Sequence, residues 1–157
     1  MKNTKIIIAT LGILFSLHGT AQILQPAKWS SSASKSEVKV IETIELTFTA
    51  KLDDTWYIYS TDQDPDLGPN PTVFEFDKNN TFELVGDIMP MNVKEKYDNI
   101  WEGNVRILSK VAVFKQKVKI LKPNPEIFVT VDYQVCTTVD GKCIPGDEEF
   151  EFNFEGE

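Results

Sequence analysis

The chain is short of the residues that most enzymatic chemistry depends on. It has one histidine, His18, one arginine, Arg106, and two cysteines, Cys136 and Cys143. The histidine lies in a segment that reads as a leader. Residues 1–5 are basic, residues 6–17 are largely apolar, and Gly19-Thr20-Ala21 is a small-residue cleavage site. The apolar centre is too short to span a bilayer, so the expectation is a secretory signal peptide over 1–21, cleaved after Ala21. No cysteine follows that site, which excludes lipid attachment there. The expected mature chain, 22–157, is one domain, periplasmic or secreted, and no later segment is apolar enough to form a membrane span.

Without residues 1–21 the chain has no histidine. That excludes a Ser-His-Asp triad, a Cys-His nucleophile pair and histidine-ligated zinc, and two cysteines are too few for a structural zinc site. Losing Lys2 and Lys5 as well leaves 14 Lys+Arg against 24 Asp+Glu, a net charge of about −10. Such an acidic chain is unsuited to nucleic acid or anionic membrane. Thiol exchange and carboxylate chemistry remain.

No segment longer than ten residues has helical spacing. Within 38–52, Ile44, Leu46, Phe48, Ala50 and Leu52 alternate with Glu45, Thr47, Thr49 and Lys51, a strand with one wet face. Further strands are expected at 56–59, 73–76, 81–85, 105–121, 127–135 and 149–154. In the last, Phe150, Phe152 and Phe154 face one way. Residues 23–28 read as a linker, 30–36 as a serine-rich patch and 62–71 as a loop. Residues 86–103 read as a long loop that keeps Ile100 and Trp101 near its end. Seven or eight short strands between turn residues predict an all-β, immunoglobulin-like β-sandwich.

The cysteines lie between the last two expected strands, with Asp140-Gly141, a favoured hairpin pair, between them. Cysteines at facing ends of paired strands reach disulfide distance, so a bond closing a small loop is expected. A loop of this size contributes about 2.5 kcal/mol of chain entropy, against about 4.7 for a hundred-residue loop. Two readings stand: a fixed staple, or a dithiol that opens and closes. Under the first, the protein is a secreted immunoglobulin-like binding or structural module.

Other candidates carry less. The aspartates of 62–68 resemble a calcium loop, but the glycine comes late, Pro65 stiffens the turn, and Val73 stands where a closing glutamate is needed. Asn79-Asn80-Thr81 fits a glycosylation sequon. Lys142 is either a support for a neighbouring thiolate or a solvated turn residue. By spacing alone Tyr57, Tyr59 and Trp101 are ordinary core aromatics.

The segment Tyr133-Gln134-x-Cys136 followed by Cys143-Ile144-Pro145 resembles the family of N-terminal periplasmic domains of the thiol:disulfide interchange protein DsbD. Trp56-Tyr57-Ile58-Tyr59-Ser60, Gly68-Pro69-Asn70-Pro71-Thr72 and the 86–103 stretch are similar to that family too. The resemblance implies an immunoglobulin-like domain that passes electrons from a thioredoxin-like or DsbD-like membrane donor to periplasmic disulfide proteins, with a link to cytochrome c biogenesis. It implies a thiol:disulfide oxidoreductase acting on proteins, with no cofactor. Cys136 and Cys143 would be the redox pair, Cys136 attacking partners and Cys143 resolving. Trp101, ahead of Gly103, would be the aromatic of a cap loop, with Ile100 beside it and Tyr57 and Tyr59 lining the site. Two features depart from the family. The inter-cysteine segment is one residue longer than in the enterobacterial form, and the acidic pair before the cap aromatic falls on Asn99 and Ile100, flanked by Asp98 and Glu102. The family's parent continues into membrane and thioredoxin-like domains, so the expectation here is either a separate donor or loss of the relay.

Overall fold

Alternating apolar and polar residues force most of this chain into strands with one face buried. The structure, a computed structural model, describes residues 24–156; the predicted leader, 1–21, lies outside the described residues. In order these contain β1 (Ala27–Ala33), β2 (Glu37–Val38), β3 (Thr43–Leu52), β4 (Trp56–Tyr59), a 3-10 turn (Pro65–Leu67), β5 (Val73–Phe76), β6 (Phe82–Met91) and β7 (Lys94–Asp98). There follow β8 (Gly103–Ser109), β9 (Val111–Ile120), β10 (Glu126–Thr137), β11 (Cys143–Asn153) and β12 (Glu155–Gly156).

The first sheet has the order β1-β3-β9-β6. The second runs β11-β10-β4-β8-β7, with β5 also paired to β10, and β12 forms a short parallel pair with β2. The two sheets enclose the core, giving the expected all-β, immunoglobulin-like sandwich. Leu46 and Phe48 from β3, Phe114, Val118 and Ile120 from β9, Ile58 from β4, and Ile127, Val129 and Val131 from β10 are all buried between them. Phe48 is the hub, with ring centroids of Phe74, Phe150 and Phe152 at 4.9, 5.5 and 5.8 Å.

Strand content exceeds what sequence periodicity indicates, and each difference has a physical reason. Residues 86–103 are not one long loop. β6 extends to Met91 and β7 occupies 94–98, leaving only residues 92–93 and the turn 99–102 outside strands. The alternation fails there because β6 is bulged between Val85 and Met89. Gly86 takes φ 72, and buried Gln116 donates through Nε2 to the Gly86 and Lys117 carbonyls at 3.1 and 2.8 Å. The expected strand 105–121 is two strands in different sheets, parted at Lys110 (φ 66). The end of the expected linker and the first part of the serine patch form β1 with Trp29, which turns Trp29, Ser31 and Ala33 inward and Lys28, Ser30 and Ser32 outward beside β3. β11 starts at Cys143 rather than at 149.

The second sheet is buried on both faces across its central strands β10, β4 and β8, and this positions the site. Ile58, Leu108 and Val135 point into the sandwich core. Their neighbours Tyr57, Tyr59, Ile107 and Cys136 point the other way and form a second buried cluster with Val105, flanked by Leu67 and Cys143. Adjacent side chains on a strand alternate faces, so one short strand serves both clusters.

A candidate redox cleft on the outer face of the second sheet

β10 places Cys136 directly opposite Cys143 of β11 and, on its other side, opposite Tyr57 of β4. Thr137 N–H donates to the Lys142 carbonyl at 2.9 Å, so 137/142 is a hydrogen-bonded pair and 136/143 the closer, non-hydrogen-bonded type. The cysteine Cα atoms are 4.1 Å apart and the sulfurs are bonded, Cys136–Cys143. The connecting turn forms as expected on Asp140-Gly141. Gly141 has φ 73, and Asp140 Oδ1 accepts from Lys142 N–H at 3.1 Å. Thr55 (φ 71) braces it from the adjacent turn, its carbonyl accepting Thr138 N–H at 2.8 Å.

The two cysteines are not equivalent. Cys136 is fully buried on β10 between β4 and β11, whereas Cys143 is half-buried on the edge strand. Cys143 opens onto a cleft of about 320 Å³ whose lining includes Tyr57, Tyr59, Lys96, Asp98, Ile100 and Trp101. All six residues singled out in the sequence (Tyr57, Tyr59, Ile100, Trp101, Cys136 and Cys143) thus meet in one region. Tyr57 and Tyr59 are 4% and 3% exposed and meet edge to face at 5.6 Å. Burial, the Tyr59 hydroxyl and the nearby Asp98 carboxylate together push the Tyr57 phenol well above its ordinary pKa.

Two loops roof this face. The turn 99–102 starts at buried Asp98, whose Oδ1 accepts Ile100 N–H at 2.9 Å. Ile100, 73% exposed, leans toward the inter-cysteine turn, where its Cδ1 lies 3.9 Å from a Cβ built on Gly141. Trp101 lies instead against Gly68. A Cβ on that glycine, at φ 115, would stand 2.2 Å from Trp101 Cε3. Gly103 is pressed in the same way on Leu67. The roof is therefore the 98–103 turn interlocked with the 62–71 loop.

That second loop is pinned down at several points. Asp62 receives both Arg106 Nε at 3.0 Å and Nη2 at 2.8 Å, and Glu95 takes Nη1 at 3.3 Å. The Arg106 guanidinium holds the Asp62 carboxyl below its usual range. Buried Gln63 accepts Arg106 N–H at 2.7 Å, and buried Thr72 donates to the Tyr59 carbonyl at 2.6 Å. Asp64 caps the 3-10 turn by accepting Asp66 N–H at 2.9 Å. Two aspartates weighed as calcium ligands are thus engaged in holding this loop.

Periodicity did not expose Lys96, Asp98, Leu67 and Gly68. The first two lie in the stretch whose alternation the β6 bulge interrupts. Leu67 and Gly68 lie in a loop, where no repeat signals burial. Tyr133, part of the distinctive cysteine motif, faces the core instead. It packs on Trp29 at 5.2 Å and fills the space where a Cβ on Gly146 would stand, 2.6 Å from its ring. Among the described residues no cluster of three His, Cys, Asp or Glu could hold a metal, and no helix is long and apolar enough to cross a membrane.

A family model for the N-terminal region of the thiol:disulfide interchange protein DsbD matches residues 21–155. Among solved structures, the reduced DsbD N-terminal domain of Neisseria meningitidis gives a TM-score of 0.53 at 19% identity, over 74% of this chain and 82% of that one. The N-terminal periplasmic domain of ScsB from Proteus mirabilis gives 0.57 at 13% identity, over 84% of this chain and 47% of that one. The chain therefore spans about half of that ScsB chain. At such identities the likeness carries the fold and nothing finer. The comparison with curated proteins finds no match.

Proposed function

The chain belongs to the family of DsbD N-terminal domains, and from that premise we propose that it is an extracytoplasmic thiol:disulfide exchange module. It takes electrons from a thioredoxin-like donor and passes them to disulfide-bonded protein partners of the same compartment. The observation that carries this reading is the Cys136–Cys143 disulfide at the cleft rim, one cysteine buried and the other half-buried. A staple meant to stabilise the sandwich is better placed across the core than across an eight-residue loop. Residues 22–157 form the single working domain in this reading, and the leader directs it out of the cytoplasm.

Exposure favours an order of attack opposite to the one that the resemblance implies. A donor thiolate approaching through the cleft meets Cys143 first. Its sulfur bonds to Cys143 Sγ, the Cys136–Cys143 bond breaks, and Cys136 leaves as a thiolate that takes a proton from water. The donor's second thiolate then displaces Cys143, so the donor ends as a disulfide and the domain as a dithiol. In the forward reaction Cys143 attacks an oxidised partner and Cys136 resolves the mixed disulfide. No cofactor enters either step, because the electrons travel on sulfur. The roof formed by Ile100 and Trp101 limits access, and Tyr57 and Tyr59 keep the buried sulfur dry.

Trapping single-cysteine variants tests this order. Cys136→Ser, which leaves the accessible sulfur, is expected to accumulate a DTT-sensitive adduct with a thioredoxin-fold donor, and Cys143→Ser much less. If neither variant forms an adduct with a donor that reduces the wild type, the relay reading fails. A stronger adduct with Cys143→Ser restores Cys136 as the attacking residue.

A further inference from the structure

Lys96 and Asp98 stand two residues apart on β7, so their side chains leave the strand on the same face. Lys96 Nζ is 4.9 Å from the centroid of the Tyr57 ring and 3.8 Å from Asp98 Oδ2. Asp98 is only 6% exposed. These two are the one ammonium and the one carboxylate among the residues lining the cleft into which Cys143 opens. Lys142 is next to Cys143 in sequence, but it is exposed, it does not line the cleft, and its N–H is taken by Asp140.

Thiol exchange brings a full negative charge into this cleft and spreads it over three sulfurs in the transition state. Buried Asp98 opposes that charge, as does the acidic chain as a whole. A cation held against the Tyr57 ring offsets it, and at 40% side-chain exposure it does so as a charge partly screened by water. We propose that Lys96 sets the charge of the cleft in favour of an incoming thiolate, with Asp98 and the Tyr57 ring holding its ammonium in place. The proposal rests on the exchange reading above and names the group that makes the site receptive. The other charged or titratable groups around the cleft are Tyr57 and Tyr59 on β4, Tyr97 on β7, and Asp140 and Lys142 in the turn.

The test is a set of three small reductants: cationic cysteamine, neutral 2-mercaptoethanol and anionic 2-mercaptoethanesulfonate. Their second-order rate constants with the oxidised protein are measured at one pH and low salt, each corrected for its thiolate fraction. Lys96→Met is expected to slow the anionic thiol about tenfold more than the cationic one, the scale of one screened unit charge at close range. The difference should shrink in high salt, and Lys142→Met should change the ratio less than about twofold, as a solvated charge does. Asp98→Asn is expected to move the ratio the other way, which keeps the proposal testable if Lys96→Met folds poorly. Equal slowing of all three thiols by Lys96→Met would make Lys96 a packing residue and overturn the proposal, as would an unchanged ratio in both variants. If the wild type resists all three thiols until denaturant is added, the exchange reading itself falls, and this proposal with it.

Discussion

The two faces of the second sheet are both buried near the cysteines, yet they are built differently. The inner face sets Ile58, Leu108 and Val135 into the aromatic and aliphatic core around Phe48. The outer face carries tyrosines, a disulfide, a lysine and a buried aspartate beneath two interlocked loops. The first is closed by side-chain packing from an entire opposing sheet. The second is closed by the turn 99–102 and the loop 62–71, held by a few hydrogen bonds and two glycine contacts rather than by a packed sheet. Stability and reactivity thus lie on opposite sides of the same strands, a few ångströms apart. A face roofed by loops can open locally at lower free energy than the core can.

Substitutions can break this contrast if it is wrong. The largest effect is expected on the inner face: Phe48→Ala removes the hub of the aromatic cluster and should cost about 3–5 kcal/mol in denaturant unfolding. It should leave the rate of disulfide reduction by DTT unchanged wherever the protein stays folded. A parallel rise in that rate would mean that the two faces do not act independently.

On the outer face the pattern should invert. Trp101→Ala frees the turn from Gly68 and should speed DTT reduction several-fold while costing less than about 1.5 kcal/mol, as a residue 39% exposed implies. Gly68→Ala attacks the same contact from the other side, since its Cβ would meet the Trp101 ring and φ 115 disfavours alanine. It should also speed reduction. A steep loss of stability in Trp101→Ala with no change in rate would place Trp101 among the core residues and remove the cap.

The smallest effect concerns the pin that holds the second loop. Arg106 lowers the pKa of Asp62, so the pair's contribution is present above the ordinary carboxylate range and is lost as pH falls through the lowered value. Asp62 is 46% exposed at its side chain, so solvent screening leaves about 0–1 kcal/mol. Arg106→Gln should flatten the acid limb of the stability profile by no more than that. A larger change would assign the loop a structural role beyond roofing the cleft.

Much of this was legible in the sequence, and the gaps are instructive. The period-two alternation of 44–52 announced β3, and Asp140-Gly141 announced the cysteine hairpin, because each depends on local geometry alone. The second buried face had a fainter signal. Tyr57-Ile58-Tyr59, Ile107-Leu108 and Val135-Cys136 are runs of adjacent apolar residues, which mark a strand covered on both sides. Lys96 and Asp98 had no signal in periodicity. Their strand is short and follows a bulge, and a lysine on an edge strand is ordinarily a solvated one. The placement of Trp101 on Gly68 depends on two loops meeting, a contact between residues 33 positions apart that no local pattern encodes.

The central claim is that Cys136–Cys143 exchanges in the folded protein rather than stapling it. The most direct measurement equilibrates the domain in buffers of graded thiol:disulfide potential, reading the fraction reduced by alkylation and the fold by circular dichroism on the same samples. A midpoint above about −300 mV is expected, with β-sheet signal and cooperative unfolding retained in the dithiol form. A midpoint below about −300 mV, or loss of the fold as the bond opens, would make the disulfide a structural bridge and contradict it.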